Sequence, residues 1–122
     1  MNRFKNLEVW KQALALSVDV YRATEKFPKK EAYGLASQMQ RAGVSIPSNI
    51  AEGAARNHDG EFFHFLGIAC GSAAELFTQT LIARELEYIS IEQATKITGE
   101  LDHIMNRIFK LQGQLETKHK RR

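Results

Sequence analysis

Residues 38–56, QMQRAGVSIPSNIAEGAAR, carry two interleaved stripes of helical period. Gln38, Arg41, Ser45, Asn49, Glu52 and Arg56 recur at intervals of three and four, which at about 100° per residue aligns them along one face. Beside them run Leu35, Met39, Ala42, Ile46, Ile50 and Gly53, an apolar strip suited to a core. Pro47 lies inside this pattern. It lacks a backbone donor and its ring crowds the carbonyl of Gly43, so a kink is expected there. Ser45 or Asn49 is expected to satisfy the freed carbonyl.

The rest of the chain extends this helical reading. No segment alternates at period two over the length of a strand. Four segments show helical periodicity: residues 7–26 with Asn6 as cap, 31–55, 61–85, and 90–115. Phe27-Pro28 breaks the first from the second, because proline disfavours helical geometry in the residue before it. Asn57-His58-Asp59-Gly60 forms a turn. Ser90-Ile91-Glu92-Gln93 is a capping box at the start of the fourth helix. Long helices with short connections predict an all-α, antiparallel up-down-up-down four-helix bundle, with helix 2 kinked at Pro47. Its core is expected at Ile97, Leu101, Ile104, Ile108, Leu111 and Leu115 of helix 4. Helix 3 contributes Phe62, Leu66, Ala69, Ala73, Leu76, Thr80 and Ala83.

The first helix has more apolar surface than one bundle needs. Val9, Ala13, Leu16, Val20, Ala23 and Phe27 make one stripe. Leu7, Trp10, Leu14, Val18 and Tyr21 make another, about 130° away. A core-facing helix needs about 100° of apolar surface, and contiguous exposed patches are uncommon on monomers. A subunit interface is therefore expected, drawn from Val9, Trp10, Leu14, Leu16, Val20 and Tyr21, with Met105 and Phe109 of helix 4.

The composition is that of a globular domain, 43% hydrophobic and 25% charged, with a single cysteine and a net charge of +3. One domain is expected over residues 1–117, followed by a disordered basic tail at 118–122. No internal disulfide and no CxxC site are possible. No signal peptide and no membrane-spanning stretch are expected, which makes the cytoplasm the default location. Lys118, Lys120, Arg121 and Arg122 contribute +4, leaving the rest of the chain at −1. Nucleic-acid contacts are expected at these four residues and at Arg3, Lys5, Lys29, Lys30 and Arg41. On chemistry alone, the polar stripe of helix 2 reads as a network that fixes helix register. Binding of RNA phosphate or a partner is the alternative reading.

Enzyme readings find no positive support. Glu61-Phe62-Phe63-His64 and Glu100-Leu101-Asp102-His103 share the E-x-x-H spacing of di-iron bundles. However, both histidines point away from the core, and an antiparallel hairpin separates the two motifs by roughly 20 Å or more along the axis. Cys70 and Ser72 have no suitably placed histidine, and no glycine-rich phosphate loop is present. No cofactor and no metal are expected.

Leu7-x-Val9-Trp10, Phe27-Pro28, Glu31 and Tyr33-Gly34-Leu35 also form part of a recognisable pattern. It continues through Gln38, Arg41-Ala42, residues 44–53 (VSIPSNIAEG), Arg56, Glu61-Phe62, Phe65-Leu66, Gly71-Ser72 and Glu75-Leu76. This pattern resembles the proteins encoded in intervening sequences of bacterial 23S rRNA genes. The resemblance implies a four-helix bundle assembled as a ring-shaped homopentamer. A related group is similar to the accessory proteins of diversity-generating retroelements, basic pentamers that bind nucleic acid and a reverse transcriptase. The chain departs from the family in two respects. His58 replaces the serine usual near the start of helix 3, leaving Asn57 or Asp59 to cap, and the body of the chain is nearly neutral.

The resemblance and the stripes together lead to a non-enzymatic, homo-oligomeric RNA- or DNA-binding bundle. The alternative is a scaffold that docks a partner protein such as a reverse transcriptase.

Overall fold

A computed structural model of the chain describes residues 3–120, with side chains over 4–118. It is all-α, with four helices: α1 Glu8–Thr24, α2 Leu35–Ala55, α3 Asp59–Glu85 and α4 Ile91–Lys120. Short 3-10 turns at Arg3–Asn6 and Lys29–Glu31 precede α1 and α2. Each helix packs on two neighbours, α1 on α2 and α4, and α3 on α2 and α4.

The contacts fix the relative direction of successive helices. Gln40 of α2 donates to the Thr24 hydroxyl at 2.9 Å, while Gly43 packs against Ser17 and Val20. Ser45 meets Ser72, whereas Arg56 reaches back to Glu61. Gln112 donates to the Phe63 carbonyl at 3.2 Å, and Lys118 lies 3.7 Å from Asp59. In each pair, residue numbers rise along one helix as they fall along the other. The core between the helices contains Leu16, Met39, Ile46, Ile50, Leu66, Leu76, Leu101, Ile104 and Ile108. The expected seam of α4 continues into half-buried Leu111 and Leu115.

Helix ends differ from the sequence expectation for identifiable reasons. Asn6 does not cap α1. It belongs to the preceding 3-10 turn, and Leu7 occupies the cap position without a side-chain bond. The entry is held instead by Phe4 packed edge-on against Trp10 at 5.2 Å. The same helix stops at Thr24, whose hydroxyl donates to the Val20 carbonyl at 2.9 Å. His58, rather than Asn57 or Asp59, caps α3: its Nδ1 accepts from the Glu61 N–H at 3.4 Å. Asn57, at φ 56°, supplies the left-handed turn that ends α2. At the other end of α3, Tyr88 donates its N–H to the Ala83 carbonyl and Glu87 to that of Arg84, a Schellman closure with Glu87 left-handed.

The capping box at Ser90 is present in its forward half, with the Gln93 N–H donating to the Ser90 hydroxyl at 3.0 Å. The helix that it opens runs five residues beyond the expected end at Leu115, through Lys120. No glycine or proline stops it there, and basic residues suit the negative end of a helix dipole. Residues 118–120 are therefore helical rather than a detached tail, while Arg121 and Arg122 lie outside the described residues.

By length and hydropathy, α3 could also cross a membrane, contrary to expectation. In this fold it is a core helix, with Phe62, Leu66, Ala69, Ala73, Leu76 and Thr80 buried against its neighbours.

Glu31 lies four residues before α2 rather than inside it. Its Oε1 accepts from the Leu35 N–H at 3.1 Å, and its Oε2 accepts from the Tyr88 hydroxyl at 3.0 Å. The Leu35 donor first, and Tyr88 second, hold the Glu31 carboxyl below its ordinary value, while the same bond raises the Tyr88 phenol. The lowered carboxyl contributes stability present above the ordinary carboxylate range and lost as pH falls through the folded value. The raised phenol contributes stability that is complete below its ordinary pKa of 10.0 and lost as pH rises beyond it. Tyr88→Phe is expected to raise the Glu31 pKa toward normal but not fully, because the Leu35 donor remains. A carboxyl NMR titration measures this, and an unchanged value would contradict the bond.

Candidate functional site

Four of the six stripe residues of α2 are engaged within the subunit. The Ser45 and Ser72 hydroxyls lie 2.8 Å apart across α2 and α3. The Asn49 amide donates to the Ser45 carbonyl at 2.8 Å and to its hydroxyl at 2.9 Å. Asn49 therefore serves Ser45 and not the carbonyl of Gly43, which corrects one expected repair of the Pro47 site. Arg56 pairs with Glu52 at 3.0 Å and Glu61 at 3.3 Å, and its guanidinium stacks over Phe65 at 5.2 Å. These bonds hold the α2–α3 seam in register. Gln38 and Arg41 are exposed.

The basic candidates divide between the two ends of the bundle. Lys5 is exposed in the turn before α1, at the end where Lys118 pairs with Asp59. Lys29 and Lys30 are exposed in the α1–α2 connection, at the far end of α1. The 17 residues of α1 separate these groups by about 25 Å at 1.5 Å per residue. The side chains of Arg3 and Lys120, and all of Arg121 and Arg122, lie outside the described residues. Beside the two lysines, Tyr33 is 99% exposed. Sequence reading missed it as a candidate because it placed residues 31–55 in a helix, whereas Tyr33 lies in the connection before α2.

The structure corrects the expected interface. Val9, Leu16 and Val20 are buried in the subunit's own core, because their stripe faces α2 and α4. Trp10 and Met105 are half-buried. Leu14 and Tyr21 are each 46% exposed and Phe109 is 58% exposed. On α1, the large apolar side chains left exposed thus belong to the second stripe.

The two E-x-x-H motifs do not converge in this fold. Glu61 pairs with Arg56, His64 and His103 are exposed, and Glu100 faces the α1–α4 cleft. Among the described residues no three potential metal ligands come together. The cleft, about 510 Å³, is lined by Asp19, Glu25 and Glu100 and by Arg22, Lys26 and Lys96. Its opposed charges cancel, leaving no net field to draw an ion. Burial first, and Asp19 second, raise the Glu100 carboxyl. Burial likewise raises the half-buried Cys70 thiol, the opposite of what a nucleophile needs.

Four packed helices without a strand among the described residues define an all-α bundle protein. The family model of the 23S rRNA-intervening sequence proteins matches residues 5–110, and the chain belongs to that family. A solved structure from Bacteroides thetaiotaomicron VPI-5482, a protein of unknown function from the S23 ribosomal protein family, shares the fold at a TM-score of 0.80. It is 23% identical, with 86% of this chain and 95% of that chain covered. No curated protein matches the chain.

Proposed function

We propose that this protein is a non-enzymatic, homo-oligomeric helical bundle, up-down-up-down with α2 bent at Pro47, that binds nucleic acid, RNA foremost. The observation that carries the assembly is the apolar flank of α1, where Leu14, Val18 and Tyr21 remain exposed. The pentameric ring follows from the family resemblance. A cytoplasmic location, without a membrane partner, goes with this reading.

Assembly supports the nucleic-acid reading because it multiplies a weak feature. One subunit offers Lys29 and Lys30 beside a fully exposed Tyr33. A ring repeats that group in every subunit, and repeated weak sites act together. Lysines neutralise phosphates, and a tyrosine face stacks on an unpaired base. Lys5, Arg41 and the basic end of α4 would add further phosphate contacts.

The test is titration of the full chain with a single-stranded RNA at two salt concentrations. Affinity is expected to fall steeply with salt. Replacing both Lys29 and Lys30 by glutamine is expected to reduce the log–log slope by about 1.4 for each copy of the site that the RNA contacts, since each single-strand phosphate contact contributes about 0.7. A salt-independent affinity, or none, would overturn the nucleic-acid reading. It would favour a scaffold that docks a partner protein such as a reverse transcriptase, a reading supported by the nearly neutral body and the exposed apolar flank.

A further inference from the structure

The connection between α1 and α2 sets a carboxylate beside two exposed lysines, an awkward neighbour for groups that meet phosphate. Glu31 is the only acidic residue between Phe27 and Leu35, and the fold turns it inward. Its two oxygens accept from the Leu35 N–H and the Tyr88 hydroxyl, at 3.1 and 3.0 Å. Leu35 opens α2, where the first amides have no partner within the helix, so this carboxylate serves as the cap. Gly34 lets it approach: a Cβ there would lie 2.7 Å from the Glu31 Oε1.

Tyr88 holds the same connection at a second point. Its ring packs on that of buried Phe27, with centroids 5.2 Å apart, while its hydroxyl reaches Glu31. Tyr88 is itself fixed, because its N–H closes the end of α3 on the Ala83 carbonyl at 2.9 Å and buried Ile89 follows it. Between these anchors the backbone turns on itself. The Glu31 N–H donates to the Pro28 carbonyl at 2.9 Å, that of Ala32 to Lys29 at 3.1 Å, and that of Gly34 to Glu31 at 3.0 Å. Pro28 adds a ring-restricted φ of −53°. Lys29, Lys30 and Tyr33 are left on the outside, and neither lysine has an ion-pair partner among the described residues.

We infer that Glu31 and Tyr88 are positioning residues for RNA, holding the connection in the shape that presents Lys29, Lys30 and Tyr33 to a single strand. This role rests on the RNA-binding reading above and specifies what orders its site. A loose loop loses conformational freedom when it binds, and that loss subtracts from affinity. Here two side-chain bonds and a ring contact order the loop before RNA arrives. The role predicts a sign opposite to that of charge. Glu31 is a negative charge next to two phosphate-binding lysines, so charge alone predicts tighter binding when it is removed. Positioning predicts weaker binding.

Titration of the 122-residue chain with a fluorescein-labelled oligouridylate separates the two. Glu31→Ala removes the charge and both bonds, and affinity is expected to fall about tenfold for each copy of the site that the RNA contacts. Glu31→Gln removes the same charge, but its carbonyl still accepts from the Leu35 N–H and its amide donates to the Tyr88 oxygen. Its affinity should at least equal that of the unsubstituted protein. Tyr88→Phe keeps every charge and the ring contact, and should weaken binding about threefold through the lost hydrogen bond. The slope of log affinity against log salt should stay unchanged in Tyr88→Phe, because the phosphate contacts remain. Where circular dichroism shows Glu31→Ala unfolded, Tyr88→Phe carries the test. If Glu31→Ala binds as tightly as Glu31→Gln, or Tyr88→Phe as tightly as the unsubstituted protein, the positioning role falls while RNA binding stands. If the unsubstituted chain binds no RNA, the RNA-binding reading falls and this role falls with it.

Discussion

Gly53→Leu is expected to lower the unfolding free energy by about 3 kcal/mol, the upper range for an overpacked core. For a chain of this length that corresponds to a drop of about 10 °C in Tm. Helix propensity alone argues the other way, since glycine inside a helix costs about 1 kcal/mol relative to alanine. Packing reverses the sign. A Cβ at Gly53 would sit 2.6 Å from the Phe65 Cβ and 3.2 Å from a Phe62 ring carbon, and neither is the free end of a flexible side chain. The added atoms must push α3 away from α2, breaking the seam that Ser45–Ser72 and Arg56–Glu61 hold in register. Thermal unfolding followed by circular dichroism measures the effect. An unchanged Tm would mean that the two helices do not approach this closely.

Leu16→Ala and Leu14→Ala should separate fold from assembly, although the two leucines are two residues apart. Leu16 is fully buried, and truncating it leaves a cavity that costs about 2–5 kcal/mol at any protein concentration. Leu14 is half exposed, so its truncation should spare the subunit and lower only the part of the stability that depends on protein concentration. Denaturant unfolding at two protein concentrations resolves the two contributions. Equal losses from both variants would contradict the division of α1 into an inner and an outer stripe.

That division shows how far the sequence could be read. Periodicity located both stripes of α1 and the heptad seam of α4, because burial imposes a spacing that one chain displays by itself. It also placed Val9, Leu16 and Val20 at a subunit interface, where the fold buries them in their own core. Two apolar stripes on one helix do not say which of them faces the subunit's own core. The fourth helix was legible at its start, where Ser90 and Gln93 are three residues apart and the cap is local.

Features that depend on distant partners were not legible. Glu31 ends outside α2 because its carboxylate bridges the Leu35 N–H and a hydroxyl 57 residues further on. The stripe of α2 was read as a register-fixing network, but its partner Ser72 was not legible, because the two hydroxyls meet only after α2 and α3 pack. The His58 cap escaped because imidazole is seldom the acceptor there, serine, threonine, aspartate and asparagine being preferred. Tyr33 was missed because the helical reading began at residue 31, whereas Tyr33 lies in the connection before α2.

The central claim is that the fold leaves apolar surface which only another copy of the chain covers. Light scattering or native mass spectrometry of the unsubstituted 122-residue chain across a dilution series tests it most directly. The account predicts one discrete particle, a whole multiple of the 13.8 kDa subunit and fivefold if the family ring applies, persisting on dilution into the low micromolar range. A 13.8 kDa species that remains single at high micromolar concentration would contradict it.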